Sequence, residues 1–261
     1  MSKPATAAER LYLEHQEKRP LGGLPADLMP KDFAAAHAVQ DHLQDLYVER
    51  GERLAGWKIA LTTPVMQALV GVDHPCEGGI FESRVHRSPA ELAAADFVNV
   101  AVESEIAVRL ATDLGPAAAP WTAESVADAV GACMAAIELV DDRKVDYDAL
   151  DGLLLVADNA FNFGCVLGAP IEDWRSLDLA TLAGRMLING EEVGRGVGAD
   201  VMGHPFEALA WLANSLAARG RPLEAGQIVM TGSIVATKWP AAGDEIVTEV
   251  DGLGEARLRL R

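Results

Sequence analysis

Glu103 and Glu105 stand two residues apart in an otherwise apolar run, Val100-Ala101-Val102-Glu103-Ser104-Glu105-Ile106. On a β-strand, side chains at i and i+2 point to the same face, so the two carboxylates share one. Two like charges on a buried face repel. Something must neutralise them: protonation, an arginine or lysine partner, or a cation. Glu138 is a third case. It sits in Ala135-Ala136-Ile137-Glu138-Leu139-Val140, where an unpaired ionised carboxylate is costly. Three carboxylates suit a hard, oxygen-seeking cation, Mg²⁺ or Mn²⁺, better than zinc, which prefers nitrogen and sulfur. A divalent ion on this set carries a net charge of about −1 and keeps open positions in an octahedral shell. A bidentate 2-oxo acid could fill two of them. The plainer alternative is a solvated Glu-x-Glu strand face, with Glu138 ion-paired near a strand end.

Other residues have chemistry at hand. Lys58 lies within Gly56-Trp57-Lys58-Ile59-Ala60-Leu61-Thr62-Thr63. It either snorkels to a strand edge or faces a pocket, where it would bind a carboxylate or move protons. Thr231-Gly232-Ser233 follows an apolar run and either offers backbone N–H groups to an anion or forms a turn. His204, before Pro205, reads as a helix cap. Cys76 reads as an inert small residue, because nothing in its neighbourhood activates it.

These side chains need elements to position them. Residues 5–18 carry Leu11 and Leu13 among charges and form a helix or an arm. Residues 21–30, with Gly22, Gly23, Pro25 and Pro30, form a loop. Asp32 caps a helix running to about Arg50, with apolar residues at three- and four-residue steps and Gly51 at its end. Residues 54–61 read as a strand around Lys58. Thr62 or Thr63 caps a short helix to Leu69, with Pro64 in its first turn. Residues 71–79 read as a turn-rich loop. Strands follow over 97–110 and 133–140, with a capped helix over 121–130 between them and another helix over 147–156. Beyond that the chain reads as mostly β, with two-residue hairpins at Asn189-Gly190 and Asp251-Gly252. A helix over 205–219, stopped by Gly220, interrupts it. The layout is α+β: a helical N-terminal segment, residues 1–51, then a mixed-β catalytic body, residues 52–261.

The bulk composition narrows the partners. The chain has 261 residues, with 22 basic and 39 acidic side chains and a net charge of −17. A field of that sign argues against nucleic acid and membrane surfaces as partners. It also repels an anionic substrate, so the site needs a local positive charge from a metal or a lysine. Three scattered cysteines argue against a disulfide framework and a thiolate zinc site. The polar N-terminus does not read as a signal peptide, and no apolar run reaches a membrane span. A reducing cytoplasm is the expected location.

The ordered motifs resemble a known family. They are Gly56-x-Lys58-Ile-x-Leu-Thr62, Met66-Gln67, Gly71-Val-Asp73-x-Pro75, Gly79-Ile-Phe81, Glu103-x-Glu105, Ile137-Glu138-Leu139-Val140-Asp141, Ala157-Asp158-Asn159 and Thr231-Gly232-Ser233. From about residue 33 onward they follow the order of the 2-keto-4-pentenoate hydratases. Close to these are the 2-oxohepta-enedioate hydratases and 4-oxalocrotonate decarboxylases, all within the fumarylacetoacetate hydrolase superfamily. The resemblance implies a mixed β-roll behind the helical segment. It implies metal ligands Glu103, Glu105 and Glu138, and a catalytic Lys58. Leu61, Thr62, Asp158, Thr231 and Ser233 would contact substrate. It further implies a homo-oligomer that acts in aromatic catabolism, with a sequential pathway enzyme as a second partner.

The segment Pro75-Cys76-Glu77-Gly78-Gly79 departs from the hydratase pattern. Cys76 stands where an acid–base aspartate is usual, and Glu77 where an aromatic residue is. Either Glu77 takes over the acid–base work or the reaction differs. Asn162 and Phe163 replace small or hydroxyl residues. The leading expectation is a metal-dependent hydratase of a 2-hydroxy-2,4-dienoate. Behind it come decarboxylation of a 2-oxo-enedioate, C–C hydrolysis of an acylpyruvate, and a catalytically idle binding protein.

Overall fold

A computed structural model of the chain describes residues 2–261. Helices α1 (Lys3–Gln16) and α2 (Phe33–Glu49) come first, and the Asp32 carboxylate caps α2 by accepting from Ala35 N at 2.8 Å. In chain order the next elements are β1 (Leu54–Ala60), α3 (Pro64–Leu69), β2 (Cys76–Phe81), β3 (Val85–Arg87), β4 (Ala90–Leu92) and β5 (Val100–Leu110). Then follow α4 (Ala123–Ala127), β6 (Val130–Asp141), α5 (Gly152–Ala157), β7 (Asn162–Leu167), β8 (Ala183–Ile188) and β9 (Glu191–Val197). The last are α6 (Pro205–Ala218), β10 (Ile228–Lys238), β11 (Glu245–Val250) and β12 (Gly254–Leu260).

Among the described residues the strands form two mixed sheets. The larger runs β2-β1-β10-β5-β6-β7-β3 and the smaller β4-β12-β11-β8-β9. The larger sheet curls until β2 meets β7, so its inner face closes into a roll. Small residues line much of that inside, among them Ala107, Ala132 and Ala136, beside Met134, Cys165 and Met230. A tight roll leaves no room for larger ones throughout. The outer face turns Trp57, Val102, Ile106, Ile137 and Val229 into the main core. There they meet Met186, Ile246 and Leu258 of the smaller sheet and Leu209 and Leu212 of α6. Helices α1, α2 and α5 share a separate apolar cluster with Phe81 of β2. Among the described residues, no helix is long and apolar enough to cross a membrane.

The α+β layout holds, with instructive departures. Residues 71–79 do not stay a loop: from Cys76 the chain is a buried strand paired antiparallel with β1. Its two glycines hid it, and both sit at close approaches rather than turns, Gly78 against backbone and Gly79 against side-chain ends. A Cβ on Gly78 would sit 2.3 Å from Asn159 O, and one on Gly79 2.7 Å from Leu54 Cδ1. The helix expected over 147–156 is broken into a turn at Tyr147–Ala149 and the short α5, whose cap is Asp151. That over 121–130 shrinks to α4, because the chain joins β6 from Val130. Asn189-Gly190, both at positive φ, does make a tight two-residue turn. The β11–β12 hairpin takes three residues, since Val250 pairs with Gly254.

Candidate metal centre and its cavity

Register decides what the inner face of the roll presents. Glu103 of β5 lies directly opposite Glu138 of β6, and Glu105 lies opposite Ala136. Directly opposed residues share a face, so all three carboxylates point into the roll. One oxygen from each falls within 4.8 Å of the others. An octahedral Mg²⁺ shell, with bonds of about 2.0–2.1 Å, spreads opposite ligands by about 4.2 Å. The oxygens are close to that spread, so the three carboxylates could hold one ion.

Their hydrogen bonding is left unfinished in a telling way. Glu103 Oε1 accepts from Thr237 Oγ1 at 2.5 Å, and Glu105 Oε2 from Gly232 N at 2.8 Å. Glu105 Oε1 and Glu138 Oε2 have no donor, although Glu105 and Glu138 are fully buried. Lys58 Nζ approaches Glu138 Oε1 to 2.8 Å, close enough for an ion pair but off-line for a hydrogen bond. Buried acceptors without donors are rare and costly. A cation of oxygen preference would satisfy all of them at once.

The charges respond accordingly. Burial, then Glu138 and then Glu103, push the Glu105 carboxyl well above the ordinary range, and the Gly232 N–H only partly offsets this. Burial and Glu138 likewise raise Glu103 against the pull of Lys58 and Thr237. Burial alone would lower Lys58, but Glu138 and Glu103 outweigh it and hold the ammonium above its usual value. One lysine does not balance three carboxylates.

Above this cluster opens a cavity of about 700 Å³. Lys58, Glu103, Leu61, Thr62 and Ser233 line it. Leu61 adopts a left-handed backbone (φ 60°), and its carbonyl accepts from Gln67 Nε2 at 2.9 Å, which ties α3 to the end of β1. Thr62 packs on Gly232, whose φ of 126° and closeness (a Cβ there would meet Thr62 at 2.6 Å) exclude any side chain. Thus glycine both brings Thr62 in and aims its own N–H at Glu105.

The other expected residues lie elsewhere. Thr231 is buried with its hydroxyl donating to Ile106 O at 2.7 Å, and it lines no part of the cavity. Asp158 is buried between His15, at 2.8 Å, and Arg143. It faces a second cavity that also holds Asn162 and Phe163, on the far side of Phe161. Neither Thr231 nor Asp158 is brought to the carboxylates.

Glu77 is the largest correction. It pairs in register with Ile59, and Gly78 with Lys58. Glu77 therefore projects from the outer face of the roll while Lys58 projects from the inner one. There it is ion-paired with Arg219 just beyond α6, accepts from Ser215 at 3.3 Å and lies 3.5 Å from His37. Burial would raise its pKa, but His37 first and Arg219 second outweigh this and hold it below the ordinary range. The inner position belongs to Cys76, whose thiol is buried and pushed up to about 12, chiefly by that burial.

Several roles escaped the sequence reading. Thr237 orients Glu103. Asp142 accepts from Trp239 Nε1 at 2.8 Å and Tyr147 Oη at 3.2 Å, and so pins two aromatic side chains on the cavity wall. Asn159 opens a run of three left-handed residues, Asn159-Ala160-Phe161. Its amide holds both Gly79 N and Gly79 O, at 2.7 and 2.9 Å, and accepts from Gln44 at 2.9 Å. Only the short Asn–Gly spacing in space, not in sequence, reveals that anchor.

Known proteins bear out the architecture. Residues 82–261 match the family model described as fumarylacetoacetate (FAA) hydrolase C-terminal. A 2-keto-4-pentenoate hydratase of Burkholderia vietnamiensis is 35% identical over 253 residues, covering 97% of this chain and 95% of its own. A 4-oxalocrotonate decarboxylase of Pseudomonas putida is 33% identical, covering 87% and 85%. The solved 4-oxalocrotonate decarboxylase of Pseudomonas putida G7, complexed with magnesium and adipate, superposes with a TM-score of 0.92 at 29% identity, over 99% of this chain and 97% of that one. In fold and in sequence over nearly its whole length, the chain belongs to the fumarylacetoacetate hydrolase family.

Proposed function

We propose that this protein is a divalent-metal-dependent lyase, a hydratase that adds water to a 2-hydroxy-2,4-dienoate to give a 4-hydroxy-2-oxo acid. The observation that carries this reading is the buried trio Glu103, Glu105 and Glu138, with orphaned oxygens on Glu105 and Glu138, which reaches a largely apolar cavity through Glu103 beside Lys58. A bound Mg²⁺ or Mn²⁺ supplies Lewis acidity towards the C1 carboxylate and C2 oxygen of a 2-oxo acid. Lys58 presents its ammonium to those same oxygens and is the group placed to hold or deliver a proton there. Leu61 and Thr62 close one side of the head of the substrate, and Ser233 the other. Tautomerisation moves the C2 hydroxyl proton to C5, and water then adds its oxygen at C4 and a proton at C3. The apolar walls keep other water from the conjugated chain. Glu77 has no part in this scheme.

The test is turnover of 2-hydroxypenta-2,4-dienoate, followed by loss of its ultraviolet absorbance, with and without EDTA. Activity that needs Mg²⁺ or Mn²⁺ is expected; full activity in chelator removes the metal role. Decarboxylation of a 2-oxo-enedioate is the second reading. The same floor serves it, the P. putida relatives perform it by name, and CO₂ release distinguishes it. The reading also carries a cytoplasmic homo-oligomer working in sequence with another enzyme of aromatic catabolism, which size measurement and co-purification test.

A further inference from the structure

The floor of the cavity would recognise the head of the substrate; its walls speak to the tail. Met66 and Leu69 of α3, Leu150, Leu155 of α5, Phe161 and Trp239 surround the space above the carboxylates. These walls are held in place. The left-handed turn anchored by Asn159 presents Phe161, and Asp142 fixes Trp239 and Tyr147. The volume, about 700 Å³, is in the range that encloses drug-sized ligands and far exceeds what a five-carbon acid fills.

The charge of the lining is equally specific. Among the described residues Lys58 is the one cation that lines the cavity, and it already faces Glu138. The other charged lining groups, Glu103 and Asp200, are acidic. Arg84 and Arg143 serve the separate cavity beyond Phe161. Met66, Leu69 and Trp239 keep 39%, 47% and 53% of their surface exposed, so the tail region is an open cleft. A second carboxylate there would meet apolar walls and acids and no cationic partner, at a cost relative to an uncharged tail.

We infer that the substrate is a monocarboxylate: a 2-hydroxy-2,4-dienoate whose tail beyond C5 is uncharged and apolar, an alkyl chain of several carbons or an aryl ring. Met66, Leu69, Leu155 and Phe161 are the residues that select it. This inference rests on the proposed 2-oxo-acid site and adds the identity of the tail.

The test is calorimetric titration of the Mg²⁺-loaded protein with 2-oxo acids that cannot react. The probes are 2-oxopentanoate, 2-oxohexanoate, 2-oxooctanoate and 2-oxohexanedioate. Burying a methylene tightens binding roughly four-fold, so 2-oxooctanoate should bind at least ten-fold more tightly than 2-oxopentanoate. The diacid should bind at least ten-fold more weakly than 2-oxohexanoate. Met66→Arg, on a partly exposed helix, introduces a cation beside the tail. It should shift the preference between 2-oxohexanedioate and 2-oxooctanoate at least ten-fold towards the diacid. Equal affinity along the monoacid series, a diacid that binds as well as 2-oxohexanoate, or an unmoved preference in the variant overturns the inference and leaves the 2-oxo-acid site standing. Failure of every probe to bind overturns both.

Discussion

Glu105 and Lys58 are the side chains whose chemistry is most exposed to test. Glu105 is fully buried and keeps one oxygen without a donor. As a ligand it should make the protein's stability depend on the metal. Saturating Mg²⁺ at a hundred times its dissociation constant stabilises a one-site protein by about 2.7 kcal/mol. In Glu105→Gln most of the resulting rise in melting temperature should vanish, and turnover should fall by roughly a hundred-fold or more. An unchanged Mg²⁺ shift in a folded variant would remove Glu105 from the ligand set. Lys58 is 3% exposed, and its partner Glu138 is wholly buried. Breaking a buried pair by removing one member costs about 3–5 kcal/mol. Lys58→Met should show a loss of that order in urea melts without metal, and Mg²⁺ should restore part of it. A loss that Mg²⁺ leaves untouched would mean that lysine and metal do not share the carboxylates.

At the scale of elements, β2 and the turn before β7 hold the cavity wall. The turn stacks three non-glycine residues in the left-handed region, a conformation that costs about 1–3 kcal/mol per residue unless its surroundings enforce it. Asn159 is the enforcing group. Asn159→Ala removes its bonds to Gly79 and Gln44 and should destabilise the protein by about 3 kcal/mol. It should also loosen Phe161, so that the Michaelis constant rises. Equal stability by urea melting would show that the turn is held otherwise. On the outer face of β2, Glu77 ties the roll to the region just beyond α6. Its carboxyl is held below the usual range when folded, so its contribution is present above about 4.5 and is lost as pH falls through the folded value. Glu77→Gln should therefore flatten the fall in melting temperature as pH drops from about 4.5 towards the folded value. At neutral pH the folded variant should turn over within a few-fold of wild type. A hundred-fold loss there would return Glu77 to the chemistry.

At the scale of the molecule, residues 2–51 are woven into the body. Gln40 of α2 donates to Glu77 O and Val156 O, His15 of α1 meets Asp158, and Gln44 meets Asn159. Helices α1 and α2 also bury Leu11, Val39 and Leu43 against Leu154 and Phe81. We propose that the helical segment and the body over 52–261 are regions of one cooperative unit. A chain cut to residues 52–261 should lose its cooperative melt and its Mg²⁺ response. A sharp calorimetric transition in that fragment would make the body a domain in its own right.

Periodicity and local chemistry made much of this legible in advance. The face shared by Glu103 and Glu105 follows from the two-residue repeat of a strand. The cap at Asp32, a cap at Thr62 or Thr63 (Thr63 in the structure) and the turn at Asn189-Gly190 follow from local backbone preferences. The apolar setting of Glu138 and Lys58 pointed to a neutralised cluster, and the order of motifs pointed to the family. What sequence could not decide was which way two neighbours face once strands pair. Cys76 and Glu77 differ by one position, and a strand sends adjacent side chains to opposite faces. Only the pairing of Gly78 with Lys58 put the thiol inside the roll and the carboxylate outside. Thr231 turned away from the cavity for the same kind of reason, Asp158 at the end of α5 was drawn off by His15 and Arg143, and the tail wall was assembled from α3, α5 and the ends of β6 and β10. Distances across a closed roll belong to tertiary structure, because they are set by the pairing of segments that local sequence leaves unpaired.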